Sequence, residues 1–175
     1  MSEHVQPLLD KLRAEGAAVY ARLTALTPEQ WAAPLSEAAG AWRARDLLAH
    51  LVSAERGHQR LIAEVAQGGA GSPAGFDVDR YNAEQVAALQ ARVPAELLAE
   101  LLAVRKDTLA LVASLSEADL ARRGRHPALG DDATLADFIR IITVHARMHL
   151  RELTRSQTQA GAPTESTKKT IFRGR

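Results

Sequence analysis

The stretch TLADFIRIITVHARMHL, Thr134 to Leu150, decides the fold. Thr134 with Asp137 three residues on resembles a capping box, in which each residue satisfies the other's backbone N–H, and it predicts a helix reaching about Ser156. His145 and His149 stand four apart, so on that helix they lie one above the other. Stepping along the same face meets Phe138 and Ile142 before them and Leu153 after them. Two imidazoles therefore point from an apolar stripe toward an interior. A buried neutral imidazole needs partners for both nitrogens, so two adjacent ones are costly unless a shared partner, such as a metal ion, satisfies them.

Working outward, the alanine- and leucine-rich composition favours helix almost throughout. A first helix is expected from about Glu3 to Leu26, with Leu8, Leu12, Val19, Leu23 and Leu26 at helical spacing. Thr27-Pro28-Glu29-Gln30 announces a short turn carrying Trp31, because proline suits the first helical position. Pro34 to Gly40 reads as a loop, and a second long helix is expected from about Arg43 to Gln67. The run Gly68 to Gly75 ends that helix and reads as a crossover loop or a lid. Asp77 to Arg92 reads as a shorter helix ended by Pro94, after which Ala95 to Leu115 forms the third long one. Ser116 to Leu120 echoes Thr27 to Trp31, and Gly124 to Asp132 reads as a second loop. Four long helices in two pairs predict an all-α fold, a four-helix bundle with a long crossover connection. Residues 1–156 form the expected bundle; 157–175 form a polar tail, extended or poorly ordered, with a basic group at Lys168, Lys169, Arg173 and Arg175 and apolar anchors at Ile171 and Phe172.

Composition narrows the function. The 175 residues suffice for one self-supporting core. With no cysteine in the chain, disulfides, thiolate metal ligands and cysteine nucleophiles are excluded, leaving nitrogen and oxygen ligands. Lys and Arg number 22 against 21 Asp and Glu, with mixed signs along the helices, so no nucleic-acid partner is expected. The first ten residues lack the pattern of a signal peptide and no run is apolar enough to span a membrane, so a cytoplasmic protein is expected.

A third ligand must join His145 and His149, and His4, His50, His58 and His126 remain. His4 lies near the chain start and His126 in an arginine-rich loop, so surface positions are expected for both. His50 and His58 are eight apart, about 12 Å along a helix, too far for both to reach one ion at ~2 Å. Helical spacing leaves that choice open: His58 lies nearer the centre of the apolar stripe, whereas Ala54 and Gly57 beside His50 leave room for a cavity.

The string Trp42-Arg43-Ala44-Arg45-Asp46-Leu47-Leu48-Ala49-His50-Leu51, followed some way on by His145-Ala146-Arg147-Met148-His149-Leu150, resembles the DinB/YfiT-like superfamily, which includes the N-terminal domain of mycothiol-dependent maleylpyruvate isomerases. The resemblance covers about residues 5 to 155. It implies that His50, His145 and His149 ligate one divalent ion, zinc or nickel, and that His58 is a bystander. Three imidazoles leave positions open on such an ion, the arrangement of a catalytic site. Asp46 and Glu152 are the acceptors placed to orient an imidazole, although solvent-exposed carboxylates are the simpler reading of both. Arg147 and Arg151 are candidates to attract a carboxylate substrate. The resemblance further implies a small-molecule substrate and a metal-dependent transferase using a low-molecular-weight thiol, or a related detoxification enzyme. Its alternatives are a hydrolase in which the ion activates water, and a non-catalytic metal-binding stress-response module, possible as a homodimer.

Overall fold

The computed structural model describes residues 4–36 and 41–160. Four long helices make the framework: α1 (Val5–Thr24), α3 (Ala44–Ala66), α5 (Pro94–Ala113) and α7 (Leu135–Ala160). Short helices α2 (Pro28–Ala32), α4 (Val78–Ala88) and α6 (Glu117–Leu120) lie between them. The local signals act as expected. Thr27 Oγ1 accepts from the Gln30 N–H while Gln30 Oε1 accepts from the Thr27 N–H. Thr134 and Asp137 exchange the same pair of bonds at the start of α7, each at 3.2 Å. The helix expected over Asp77 to Arg92 ends earlier, at Ala88. α7 runs past Ser156 to Ala160, so the first residues assigned to the tail are helical; the basic and apolar tail residues lie outside the described residues.

One expectation is overturned. Gly124 to Asp132 is not a plain loop but most of an antiparallel hairpin, β1 (Arg123–His126) with β2 (Gly130–Thr134), irregular between Gly124 and His126. The hairpin is tied to the glycine-rich segment: Arg125 N–H donates to Ala70 O at 2.8 Å and Ser72 N–H to Arg125 O at 2.9 Å. Gly71 between them has φ +84°, and a Cβ there would stand 2.3 Å from Arg125 O. Only glycine permits that approach. The segment expected as a crossover or a lid is thus a crossover pinned to the hairpin.

The long helices do not pack in chain order. α1 packs on α5 and α7, and α3 packs on the same two, so α1 lies diagonally across from α3, and α5 from α7. The connections carrying α2 and α6 each cross the bundle. Two apolar layers fill it, one with Leu47, Leu48, Val52, Leu97, Leu101 and Leu153, the other with Leu9, Leu12, Ile62, Phe138 and Ile139. Both α3 and α7 contribute to both layers, so their middle turns fall between them. That is where the buried polar side chains gather, including His50, Ser53, Glu55, Thr108 and Thr143.

Candidate metal centre

α3 and α7 are adjacent, which brings His50 against the His145 and His149 pair. Nε2 of His145 lies 3.0 Å from Nε2 of His50 and 3.0 Å from Nε2 of His149. His50 and His149 are only 3% and 8% exposed. One ligand atom from each of the three lies within 4.8 Å of the others, and among the described residues no other group of three metal-ligating side chains converges in this way.

These contacts are poorly explained as hydrogen bonds. Each Nε2 offers either one N–H or one in-plane lone pair, so His145 Nε2 can serve one of its two neighbours but not both. A cation accepts all three lone pairs at once. Imidazole nitrogens ~2.0–2.1 Å from a tetrahedral ion would stand about 3.3 Å apart; the two spacings to His145 are 3.0 Å, and all three atoms lie within 4.8 Å of one another. Electrostatics agrees, because ligation needs neutral rings. Burial, with the neighbouring imidazoles adding repulsion, pushes His50 down to about 3 and His145 to about 4.

The surroundings sort the expected supporting carboxylates. Glu152 Oε2 lies 3.1 Å from His149 Nδ1, where it accepts the ring N–H and leaves Nε2 free to ligate. Asp46 instead serves the start of α3, accepting from the Arg43 N–H at 3.0 Å and from Arg45. His50 Nδ1 has no hydrogen-bond partner, and the Trp42 ring packs against its imidazole with centroids 5.0 Å apart. Glu152→Ala is therefore expected to weaken binding of a divalent ion about 10–100-fold, measured by chelator competition, whereas Asp46→Ala acts on helix stability instead.

The three rings sit beside a cavity of about 680 Å³, of which His50 and His145 form part of the wall. Ala54 and Gly57 open it as expected, and Ser72, Pro73, Phe76 and Tyr81 enclose it from the crossover and α4. Its fixed charges are Arg60 and Glu64, and the Arg60 guanidinium donates to the Tyr81 hydroxyl. Arg147 and Arg151 do not reach it: Arg147 pairs with Glu15 of α1, and Arg151 lies on a separate shallow face.

Of the other histidines, His126 departs from expectation. His4 is exposed, beside Glu117, as expected. His126 is not on the surface; it is 3% exposed, carried inward by the hairpin against Phe138. Its Nε2 lies 3.3 Å from His58 Nδ1, and both rings line the cavity. Burial pushes His58 down to about 3 and His126 to about 4. In the unfolded chain these rings protonate near their ordinary value of 6.5, whereas folded they stay neutral, so the unfolded state binds more protons in between. Stability is complete above about pH 6.5 and falls as pH drops toward about 4. The urea midpoint of the ion-free protein should fall between about pH 7 and about pH 5, and His126→Phe should reduce that dependence.

The family model described as the DinB superfamily matches residues 11–153, most of the chain. This chain belongs to the DinB superfamily. No curated protein matches it by sequence. Among solved structures, the DinB-like chain is similar to YfiT from Bacillus subtilis, described as a probable metal-dependent hydrolase with an unusual four-helix bundle topology, at 18% identity and TM-score 0.73 over 92% of this chain and 90% of that one. The mycothiol-dependent maleylpyruvate isomerase matches at 14% identity and TM-score 0.71; 87% of this chain aligns, but it spans only 63% of that protein. The colibactin self-resistance protein ClbS, solved in complex with double-stranded DNA, matches at 18% identity and TM-score 0.63 over 91% of this chain and 97% of that one. At these identities the likeness shows the fold. That fold alone does not exclude DNA as a partner, and no described helix is long and apolar enough to cross a membrane.

Proposed function

We propose that this DinB-like protein binds one divalent ion, zinc or nickel, through His50, His145 and His149, and acts as an enzyme on a small molecule in the adjoining cavity. The reaction proposed is transfer of a low-molecular-weight thiol to an electrophile. The observation that carries the reading is the convergence of three Nε2 atoms beside an open, largely apolar cavity. A closed structural site would offer four protein ligands and no such space.

When bound, the ion would act as a Lewis acid that lowers the pKa of a thiol or water reaching it, supplying a nucleophile near neutral pH. The protein's own residues do the rest. Glu152 holds the His149 proton on Nδ1. Burial keeps His50 and His145 neutral, and the apolar wall of Phe76, Val144 and Met148 packs the body of the electrophile and excludes water. In the transfer the thiol loses its proton, sulfur bonds to the electrophilic carbon, and the electron pair of the broken bond leaves with the departing group or an opened ring oxygen. The proton ends there or in solvent.

The rival is hydrolysis, supported by the resemblance to YfiT over nearly the full length of both chains. A model electrophile incubated with metal-loaded protein separates them. Thiol transfer requires turnover that depends on added thiol and yields the thioether; equal turnover without thiol supports the hydrolase, and no turnover with either nucleophile contradicts both.

A further inference from the structure

Two of the three histidines outside the proposed ligand set, His58 and His126, form a chain anchored on the backbone. The Ala128 N–H, a donor that cannot be reversed, points at His126 Nδ1 at 3.1 Å. Nδ1 of the neutral His126 ring must therefore be the acceptor, and its proton lies on Nε2. That Nε2–H faces His58 Nδ1 at 3.3 Å, with the two rings within 4° of parallel. His58 Nδ1 is then an acceptor too, which puts the His58 proton on Nε2. That atom has no hydrogen-bond acceptor among the described residues, although His58 lines the cavity and its ring lies 6.2 Å from that of His145. This N–H is not fully buried, so with no protein acceptor it is left to donate to water or to a molecule in the cavity.

The cavity indicates what that partner is. Phe76, Val78, Val144 and Met148 all line it and are 37–55% exposed, so large apolar side chains are spent on its mouth rather than on the core. Such walls suit an apolar body, with polar recognition confined to a few atoms.

We propose that His58 is a ligand-binding residue that presents Nε2–H to an acceptor oxygen of an apolar-bodied molecule lying beside His50 and His145, and that His126 is the positioning residue that fixes the donor. A carbonyl, hydroxamate or epoxide oxygen has the required chemistry. The inference rests on the proposed function for the ligand's position beside an ion, but not for the direction of the histidine chain.

Two experiments test it, and they separate its failure from that of the metal reading. In the ion-free protein labelled with ¹⁵N-histidine, long-range ¹H–¹⁵N spectra should show His58 and His126 both protonated on Nε2. A His58 ring protonated on Nδ1 overturns the proposal. In zinc-loaded protein, benzohydroxamate should bind, and His58→Leu and His126→Phe should weaken it at least about tenfold with zinc content unchanged. His126→Gln, which keeps an acceptor and a donor, should recover most of the loss. Wild-type affinity in His58→Leu, or zinc-loaded wild type that does not bind benzohydroxamate, overturns the proposal. A protein that takes up no zinc refutes the metal reading, and the tautomer spectra then decide the histidine chain alone.

Discussion

His149→Ala and His145→Ala are each expected to lower affinity for a divalent ion by more than about 100-fold. A structural zinc site in a small domain contributes ~10–16 kcal/mol across four ligands, so one imidazole accounts for about 3 kcal/mol, which is more than two decades in Kd. The same loss should appear as stability. At free ion about 100 times Kd, ligand linkage raises unfolding free energy by about 2.7 kcal/mol, or about 5–11 °C in Tm for a chain of this size. Wild type should show that rise on adding zinc or nickel, and both variants should lack it at the same ion concentration. Thermal scans with and without ion check this. An equal rise in all three proteins would place the ion elsewhere.

Glu55→Ala is expected to be the most destabilising single change near the site, at about 3–5 kcal/mol. Glu55 is 4% exposed and accepts from Arg105 Nε at 2.6 Å, from Arg105 Nη2 at 2.8 Å and from Thr108 Oγ1 at 2.7 Å. Arg105 also donates to Leu12 O at 2.7 Å, so the network joins α1, α3 and α5 in the polar layer between the two apolar ones. Removing the carboxylate leaves a largely buried guanidinium without its counter-charge. Chemical denaturation measures the loss, which corresponds to about 6–20 °C in Tm at this length. Arg105→Met with Glu55→Leu, a double change replacing the pair by apolar side chains, should recover much of it. If Glu55→Ala costs less than about 1 kcal/mol, the pair contributes no more than an exposed surface ion pair would.

These two sites differ in how visible they are in the chain. His145 and His149 are legible because helical periodicity fixes their shared face and the apolar residues around them fix its direction. The four long helices follow from the same rule, the start of α7 from Thr134 and that of the short α2 from Thr27. Their diagonal order does not, since it depends on where the connections cross. Glu55 reads in sequence as one more charged position on a helix; only the approach of Arg105 from α5 makes it a buried pair. The hairpin carries almost no strand signal: Arg123-Gly124-Arg125-His126 and Gly130-Asp131-Asp132-Ala133-Thr134 lack alternating apolar residues. What holds it is backbone pairing to the glycine-rich crossover, a contact between segments more than 50 residues apart. Without the hairpin His126 reads as a surface residue, and the neighbour that distinguishes His58 from an ordinary core histidine stays hidden. Spacing left the choice between His50 and His58 open and family resemblance supplied it; in the fold His50 lies beside the α7 pair and His58 turns to His126.

Whether His50, His145 and His149 hold one ion is decided by metal analysis of the purified, ion-loaded protein beside His50→Ala and His58→Ala. One zinc or nickel per chain is predicted in wild type and in His58→Ala, with less than a tenth of that in His50→Ala at limiting free ion. Retention of the ion in His50→Ala together with its loss in His58→Ala would make His58, not His50, the third ligand.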